Sequence, residues 1–113
     1  MIEMLTAFLM LAAGHYLADY ALQNDFVARM KGQPSADGFH TLVAHAAIHG
    51  LVLGFIGVYL GAPWLPVFLF VTVTHGAIDF GKARLGWYGL HADQALHMTV
   101  IVLTIMTAWG GAR

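Results

Sequence analysis

The chain has 113 residues, the size of one domain; 59% of them are hydrophobic and 10% are charged. With a mean hydropathy of +0.72, this composition favours a membrane protein, because about a quarter of the residues of a soluble domain are charged. The net charge of −1 argues against a nucleic-acid-binding protein, and the absence of cysteine excludes disulfides, iron–sulfur clusters and cysteine-ligated zinc.

Four apolar segments approach the length of roughly 20 residues that a membrane-spanning helix needs. They run approximately over residues 2–23, 39–60, 64–81 and 91–109. The first has no preceding positive charge, unlike a secretory signal peptide, so we predict that it is a retained helix. Polar loops at 24–38 and 82–90 and a tight turn at 61–63 connect the segments. We therefore predict a single all-α domain over residues 1–113, a polytopic membrane four-helix bundle.

Each segment carries one pair of ionisable residues spaced four apart, which a helix places on one face, one turn apart. In chain order the pairs are His15 and Asp19, His45 and His49, His75 and Asp79, and Asp93 and His97. No lysine or arginine lies within the segments to neutralise the three aspartates. Because the first and third segments carry the same His-x3-Asp order, the chain also resembles a duplicated helical hairpin.

Charged residues in the loops predict the orientation of the bundle, because positively charged loops stay in the cytoplasm. The first loop contains Arg29 and Lys31, the last contains Lys82 and Arg84, and the middle turn has no charge. Both termini should then face outward in the bacterial inner membrane, although Arg113 opposes this bias. In this orientation all eight residues of the pairs fall at a similar depth, near the cytoplasmic face.

Aromatic residues are expected at the two membrane interfaces. We predict Trp87 and Tyr88 at the inner interface, and Tyr59, Trp64 and Trp109 at the outer one. His40 and His91, which fall outside the four pairs, are also expected at an interface.

Five histidines and three aspartates exceed what one metal ion needs, so we predict two divalent transition-metal ions shared among them. The positive charges of two such ions would balance the negative charges of the three carboxylates and one bridging hydroxide. Imidazole and carboxylate ligands favour zinc or iron, with manganese as a further candidate. Gln23, on the same helical stripe as His15, and Gln94, which adjoins Asp93 but points about 100° away on the helix, are candidates for supporting contacts.

Two metals about 3.5–4 Å apart activate water and bind a phosphoryl oxygen. The four basic loop residues lie on the same side and could hold an anionic small molecule or a lipid headgroup. We therefore predict a metal-dependent hydrolase of a phosphate-containing or lipid-linked substrate. A metal-ion or proton transporter, a metal-stapled structural or partner-binding subunit, metal-free polar contacts between helices and bis-histidine haem binding stay open as alternatives.

Small residues at four-residue spacing allow close helix contacts. Gly50 and Gly54 follow this pattern. They predict packing within the chain or, alternatively, a homo-oligomer interface surrounded by membrane lipids.

Four motifs in combination resemble a known family. They are His15-x3-Asp19-Tyr20-x2-Gln23, His45-x3-His49-Gly50, Thr74-His75-x3-Asp79 and Asp93-Gln94-x2-His97. Together they resemble a family of small bacterial membrane proteins catalogued as domain of unknown function 3307, over nearly the whole chain. The resemblance implies a four-helix membrane protein with these polar positions and implies no activity. A looser similarity in character to membrane-bound metal-dependent hydrolases favours the hydrolase prediction slightly.

Overall fold

The computed structural model describes residues 2–110, and the secondary structure in that range is helical. The described α-helices are α1 (Ile2–Tyr16), α2 (Asp25–Met30), α3 (Ala36–Tyr59), α4 (Trp64–Asp79) and α5 (Leu90–Ile105). Three of them continue into a π-helical turn, at Leu17–Ala21 after α1, Phe80–Arg84 after α4 and Met106–Gly110 after α5. The predicted all-α class is confirmed. Arg113 and the side chain of Trp109, both used in the predicted orientation, lie outside the described residues.

The loop predicted over 24–38 is wrong in part, because it contains the short helix α2. The Asn24 side chain accepts a hydrogen bond from the Val27 N–H at 2.9 Å, which is the contact that starts a helix at an N-cap residue. In the same way, the Ser35 hydroxyl accepts from the Gly38 N–H at 3.0 Å. Helix α3 therefore begins at Ala36, ahead of its predicted start at residue 39.

Two helices are long and apolar enough to cross a membrane, by length and composition. They are α3, with 24 residues over Ala36–Tyr59, and α4 with its π-helical turn, with 21 residues over Trp64–Arg84. At 1.5 Å per residue, α3 is about 36 Å long, which exceeds the hydrocarbon core of a bilayer. Two of the four predicted spans thus have the required length and composition. The other two, formed by α1 and α5, stay predictions.

Helices α3 and α4 form a closely packed hairpin. Gly61 in the connecting turn has a φ of +87°, a conformation that favours glycine. Farther along the hairpin, a Cβ atom added to Gly50 would lie 2.8 Å from the carbonyl oxygen of Phe68, and one added to Gly54 would contact the same residue. The small-residue spacing of Gly50 and Gly54 therefore serves packing within the chain.

The surface of the bundle is largely apolar, and its interior contains polar residues as well as apolar ones. Large apolar side chains point outward, among them Phe55, Val73 and Leu9 with 75%, 68% and 57% of their surface exposed. The buried residues include histidines and aspartates beside an apolar cluster. This distribution places a polar site inside a helical bundle with an apolar exterior.

Candidate functional site

All eight residues of the four predicted pairs converge in the interior of the bundle. Seven of the side chains are buried and Asp19 is partly buried. The imidazole rings lie against one another, with ring centroids 3.5 Å apart for His49 and His75 and 4.2 Å apart for His75 and His97. Four separate helices supply these residues, so the local spacing seen in the sequence becomes one three-dimensional cluster, called here the His/Asp cluster.

One part of the His/Asp cluster combines three histidines with one carboxylate. Asp19, His45, His49 and His75 each offer a candidate ligand atom, and these atoms lie within 4.8 Å of one another. The Asp19 Oδ1 atom is 3.5 Å from Nε2 of His45 and 3.3 Å from Nε2 of His49.

The Nε2 atoms of His45, His49 and His75 are buried and have no hydrogen-bond partner among the described residues. Buried polar atoms are almost always hydrogen-bonded. These nitrogens are therefore chemically suited to bind a group brought in from outside the chain.

A second part of the cluster is rich in carboxylates. Asp79, Asp93 and His97 also offer ligand atoms within 4.8 Å of one another. The Nε2 atom of His97 lies 3.3 Å from Oδ1 of Asp79, within hydrogen-bond geometry, and 3.4 Å from Oδ1 of Asp93. A third such group, formed by His15, His75 and His97, shares a histidine with each of the other two. The cluster is therefore continuous.

Lysines from the connecting segments reach two of the three aspartates. The ammonium of Lys31 donates to Oδ2 of Asp79 at 2.9 Å and to Oε1 of Gln23 at 2.9 Å. Lys82 lies 3.5 Å from Oδ2 of Asp93. Two of the three aspartates therefore have a cationic partner from outside the apolar segments. The apolar segments contain no lysine or arginine. Lys31, directly after α2, and Lys82, in the π-helical turn after α4, contact the aspartates from outside these segments.

The other two predicted headgroup contacts do not enter the cluster. Arg29 is exposed on α2, and Arg84 lies over the ring of Phe80 at 5.9 Å from its centroid. His40 and His91 are exposed at the starts of α3 and α5, in agreement with their position outside the four pairs. Gln23 contacts the cluster through Lys31, as a supporting residue would.

Gln94 contacts the cluster directly, although its predicted direction on the helix points away from Asp93. Its Nε2 atom donates to Oδ2 of Asp19 and Oδ2 of Asp93, both at 3.0 Å. Its Oε1 atom is 3.1 Å from Nε2 of His15. A glutamine side chain is long enough to contact Asp93 even though the two Cβ atoms point in different directions. Through its contacts with His15 and Asp19, Gln94 also connects α5 to α1 and its π-helical turn.

Tyr88, predicted at the inner interface, is half-buried against the π-helical turn after α4. Its hydroxyl donates a hydrogen bond to the carbonyl oxygen of Ile78, and its ring lies against Gly81, where an added Cβ atom would be 2.7 Å from the Tyr88 oxygen. Burial raises the pKa of Tyr88, and the Asp93 and Asp79 carboxylates raise it further. No sequence signal distinguishes Tyr88 from Trp87, which is 74% exposed.

An apolar layer closes one side of the His/Asp cluster. Each member lies four residues from a histidine of the cluster on the same helix, and each is at most 3% exposed: Leu11, Leu53, Val71 and Ile101. Lys31 and Lys82 lie on the opposite side.

These observations define an all-helical protein with an apolar exterior and an interior cluster of histidine and aspartate. The chain matches the family described as "Protein of unknown function (DUF3307)" over residues 5–112 and belongs to that family, which confirms the resemblance found from the motifs. No curated protein and no solved structure matches the chain.

Proposed function

We propose that this chain is a multi-pass protein of the bacterial inner membrane that holds two divalent metal ions and hydrolyses a phosphate-containing or lipid-linked substrate at the cytoplasmic face. The observation that carries the proposal is a set of three buried histidine Nε2 atoms that have no hydrogen-bond partner among the described residues and lie between the carboxylates of Asp19 and Asp79. These nitrogens lie 3.3–3.5 Å from carboxylate oxygens without hydrogen-bond geometry, whereas polar groups buried between helices are normally hydrogen-bonded.

The first ion would be held by Asp19, His45, His49 and His75. Three imidazole nitrogens and one carboxylate oxygen supply the four ligands that zinc prefers, and the same donors suit iron or manganese. No lysine contact is described for Asp19, so an ion here competes with no positively charged side chain.

The second ion would be held by Asp79, Asp93 and His97. Lys31 and Lys82 contact these two carboxylates, and their ammonium groups would turn toward the substrate when an ion enters. A pair of divalent ions supplies an activated water and polarises a phosphoryl oxygen. In the reaction, water adds to phosphorus, the bond from phosphorus to the leaving oxygen breaks, and that oxygen takes a proton. Lys31 and Lys82 would bind the anionic oxygens.

The membrane location is supported by the apolar exterior and by the two helices of sufficient length and hydropathy. Contiguous exposed apolar surface of this kind is unusual for a soluble monomer. Both lysine-bearing segments lie at one end of the bundle, which agrees with a cytoplasmic position for that end.

A transport function is less well supported than hydrolysis. A transporter needs polar groups along the whole path of its substrate. Next to the His/Asp cluster, Leu11, Leu53 and Ile101 are buried. Among the described residues, the buried polar side chain beyond this apolar layer is that of Thr104, whose hydroxyl donates to the backbone of its own helix. A purely structural role has one supporting observation, since two of the three aspartates already have lysine partners.

Elemental analysis of the protein purified in detergent tests the proposal. We expect about two transition-metal ions per chain, the loss of at least one in His49→Ala, and unchanged metal content in His40→Ala, which removes an exposed histidine from the same helix. Hydrolysis of a chromogenic phosphate ester should stop on chelation and return with added zinc or iron. A metal-free chain would refute the proposal, and bound metal without hydrolysis would assign the structural role.

A further inference from the structure

Two cavities on the surface of the α3–α4 hairpin lie next to each other. The first, of about 300 Å³, lies at the end of the bundle that carries Lys31 and Arg84. The second, of about 330 Å³, runs along α3 and α4. Both cavities are lined by Phe39, Leu42 and Phe80, so these three side chains lie between them. We call the whole the α3–α4 groove.

The two ends of the α3–α4 groove differ in chemistry. Lys31 and Arg84 give the first end two positive charges, and no acidic residue lines it. The second end is lined by aromatic, aliphatic and small side chains, with Thr72 as its single hydroxyl. A ligand complementary to both ends has an anionic group followed directly by a hydrocarbon chain.

From this complementarity we infer that the α3–α4 groove binds one anionic phospholipid, with its phosphate at Lys31 and Arg84 and one acyl chain between α3 and α4. The inference rests on the proposed membrane location, and it specifies the lipid-linked substrate of the proposed hydrolysis. The rings of Phe39 and Phe80, which line both cavities, would lie at the junction of the headgroup and the chain.

Lys31 connects the α3–α4 groove to the His/Asp cluster. Its ammonium has three N–H donors, of which one goes to Asp79 and one to Gln23. The third can bind a phosphate oxygen at the basic end of the groove. A phosphate bound there would contact the same ammonium that contacts Asp79 of the His/Asp cluster. A substrate of the proposed hydrolysis has to bind next to the cluster in this way.

Lipid binding by the metal-free protein, kept in a non-ionic detergent with a chelator, tests the inference. The probe is lysophosphatidic acid, which has one phosphate and one chain; lysophosphatidylcholine and inorganic phosphate are compared with it. Two variants alter the groove and two matched controls alter exposed positions outside it: Ala77→Leu with Ala44→Leu, and Arg84→Gln with Arg29→Gln.

We expect Ala77→Leu to weaken binding of lysophosphatidic acid about tenfold, because each methylene displaced from the groove weakens binding about fourfold. Loss of one basic contact in Arg84→Gln should weaken it about fivefold. Both controls should bind as the unaltered protein does, and both comparison ligands should bind at least tenfold more weakly.

Three outcomes would overturn the inference. Equal binding of lysophosphatidylcholine would indicate unselective lipid contact, and equal binding of inorganic phosphate would indicate a site for free phosphate. Equal effects of Ala77→Leu and Ala44→Leu would show that the chain lies elsewhere. The chelator removes metal from this experiment, so none of these outcomes tests metal binding. A metal-free protein in the elemental analysis would likewise not change the lipid-binding results.

Discussion

Replacing Lys31 by methionine tests whether a lysine and a metal ion compete for the same carboxylate. The Lys31 ammonium lies 2.9 Å from Asp79, and the two side chains are 12% and 3% exposed. Methionine keeps most of the apolar stem and removes the charge together with the hydrogen bonds to Asp79 and Gln23. In the variant, Asp79 would be a buried carboxylate without a lysine partner.

The size of the effect follows from this burial. Removing one partner of a fully buried ion pair destabilises a protein by about 3–5 kcal/mol. Asp79 keeps contacts to His75 and His97, both at 3.3 Å, and Lys31 is partly accessible to solvent. We therefore expect the metal-free variant to lose about 2 kcal/mol of its free energy of unfolding.

A bound divalent ion would replace the missing positive charge. Added zinc should therefore stabilise Lys31→Met more than the unaltered protein, because the ion no longer has to displace a lysine and a ligand stabilises in proportion to the logarithm of its affinity. Denaturant unfolding in detergent, with chelator and with zinc, measures both effects. Arg29→Met is the control, since it removes an equal charge from an exposed position on α2.

Two results would refute this reasoning. If Lys31→Met were as stable as the unaltered protein in chelator, the ion pair would contribute nothing to folding. If zinc stabilised both proteins equally, Lys31 and the metal would not compete, and the two-ion arrangement around Asp79 would have to be abandoned.

Two further predictions concern packing and the segment after α4. Gly50→Ala should lower the free energy of unfolding by about 1–3 kcal/mol, because its Cβ atom would be forced against the backbone of α4; in the control Gly76→Ala, the Cβ atom makes an ordinary contact of 3.5 Å and stability should not fall. A loss in both or in neither would contradict this packing. Tyr88→Phe should cost about 1 kcal/mol by removing the hydrogen bond to Ile78, and an unchanged unfolding curve would show that water replaces this bond. Both are measured by denaturant unfolding in detergent.

The positions of the helices and of the eight paired residues could be predicted because both depend on local order in the sequence. A spacing of four residues places His45 and His49 on one face whatever the rest of the chain does. The Asn24 side chain also marked the start of α2, but the polar composition around it led us to predict a loop.

The ion pairs and the role of Gln94 could not be predicted, because they depend on tertiary contacts between distant segments. Lys31 and Asp79 are far apart in the sequence, and nothing in the local pattern tells Lys31 from Arg29, which is exposed. The position of Gln94 on the helix predicted the direction of its Cβ atom. It did not predict the conformation of the side chain, whose amide contacts Asp19 and Asp93. A charge balance made from the apolar segments alone therefore omitted two cations.

The uneven apolarity of the helices has a consequence for the biogenesis of the protein. Only α3 and α4, joined by the turn at Gly61, are apolar and long enough to enter a bilayer by themselves among the described helices. Helix α1 with its π-helical turn and helix α5 carry half of the paired histidines and aspartates. Among these, Asp19 contacts His45 and His49 of the hairpin, and His97 contacts Asp79. On the proposed membrane location, we expect α3 and α4 to insert first and to recruit α1 and α5 afterwards. Assembly of the His/Asp cluster would then be the step that completes the topology of the chain.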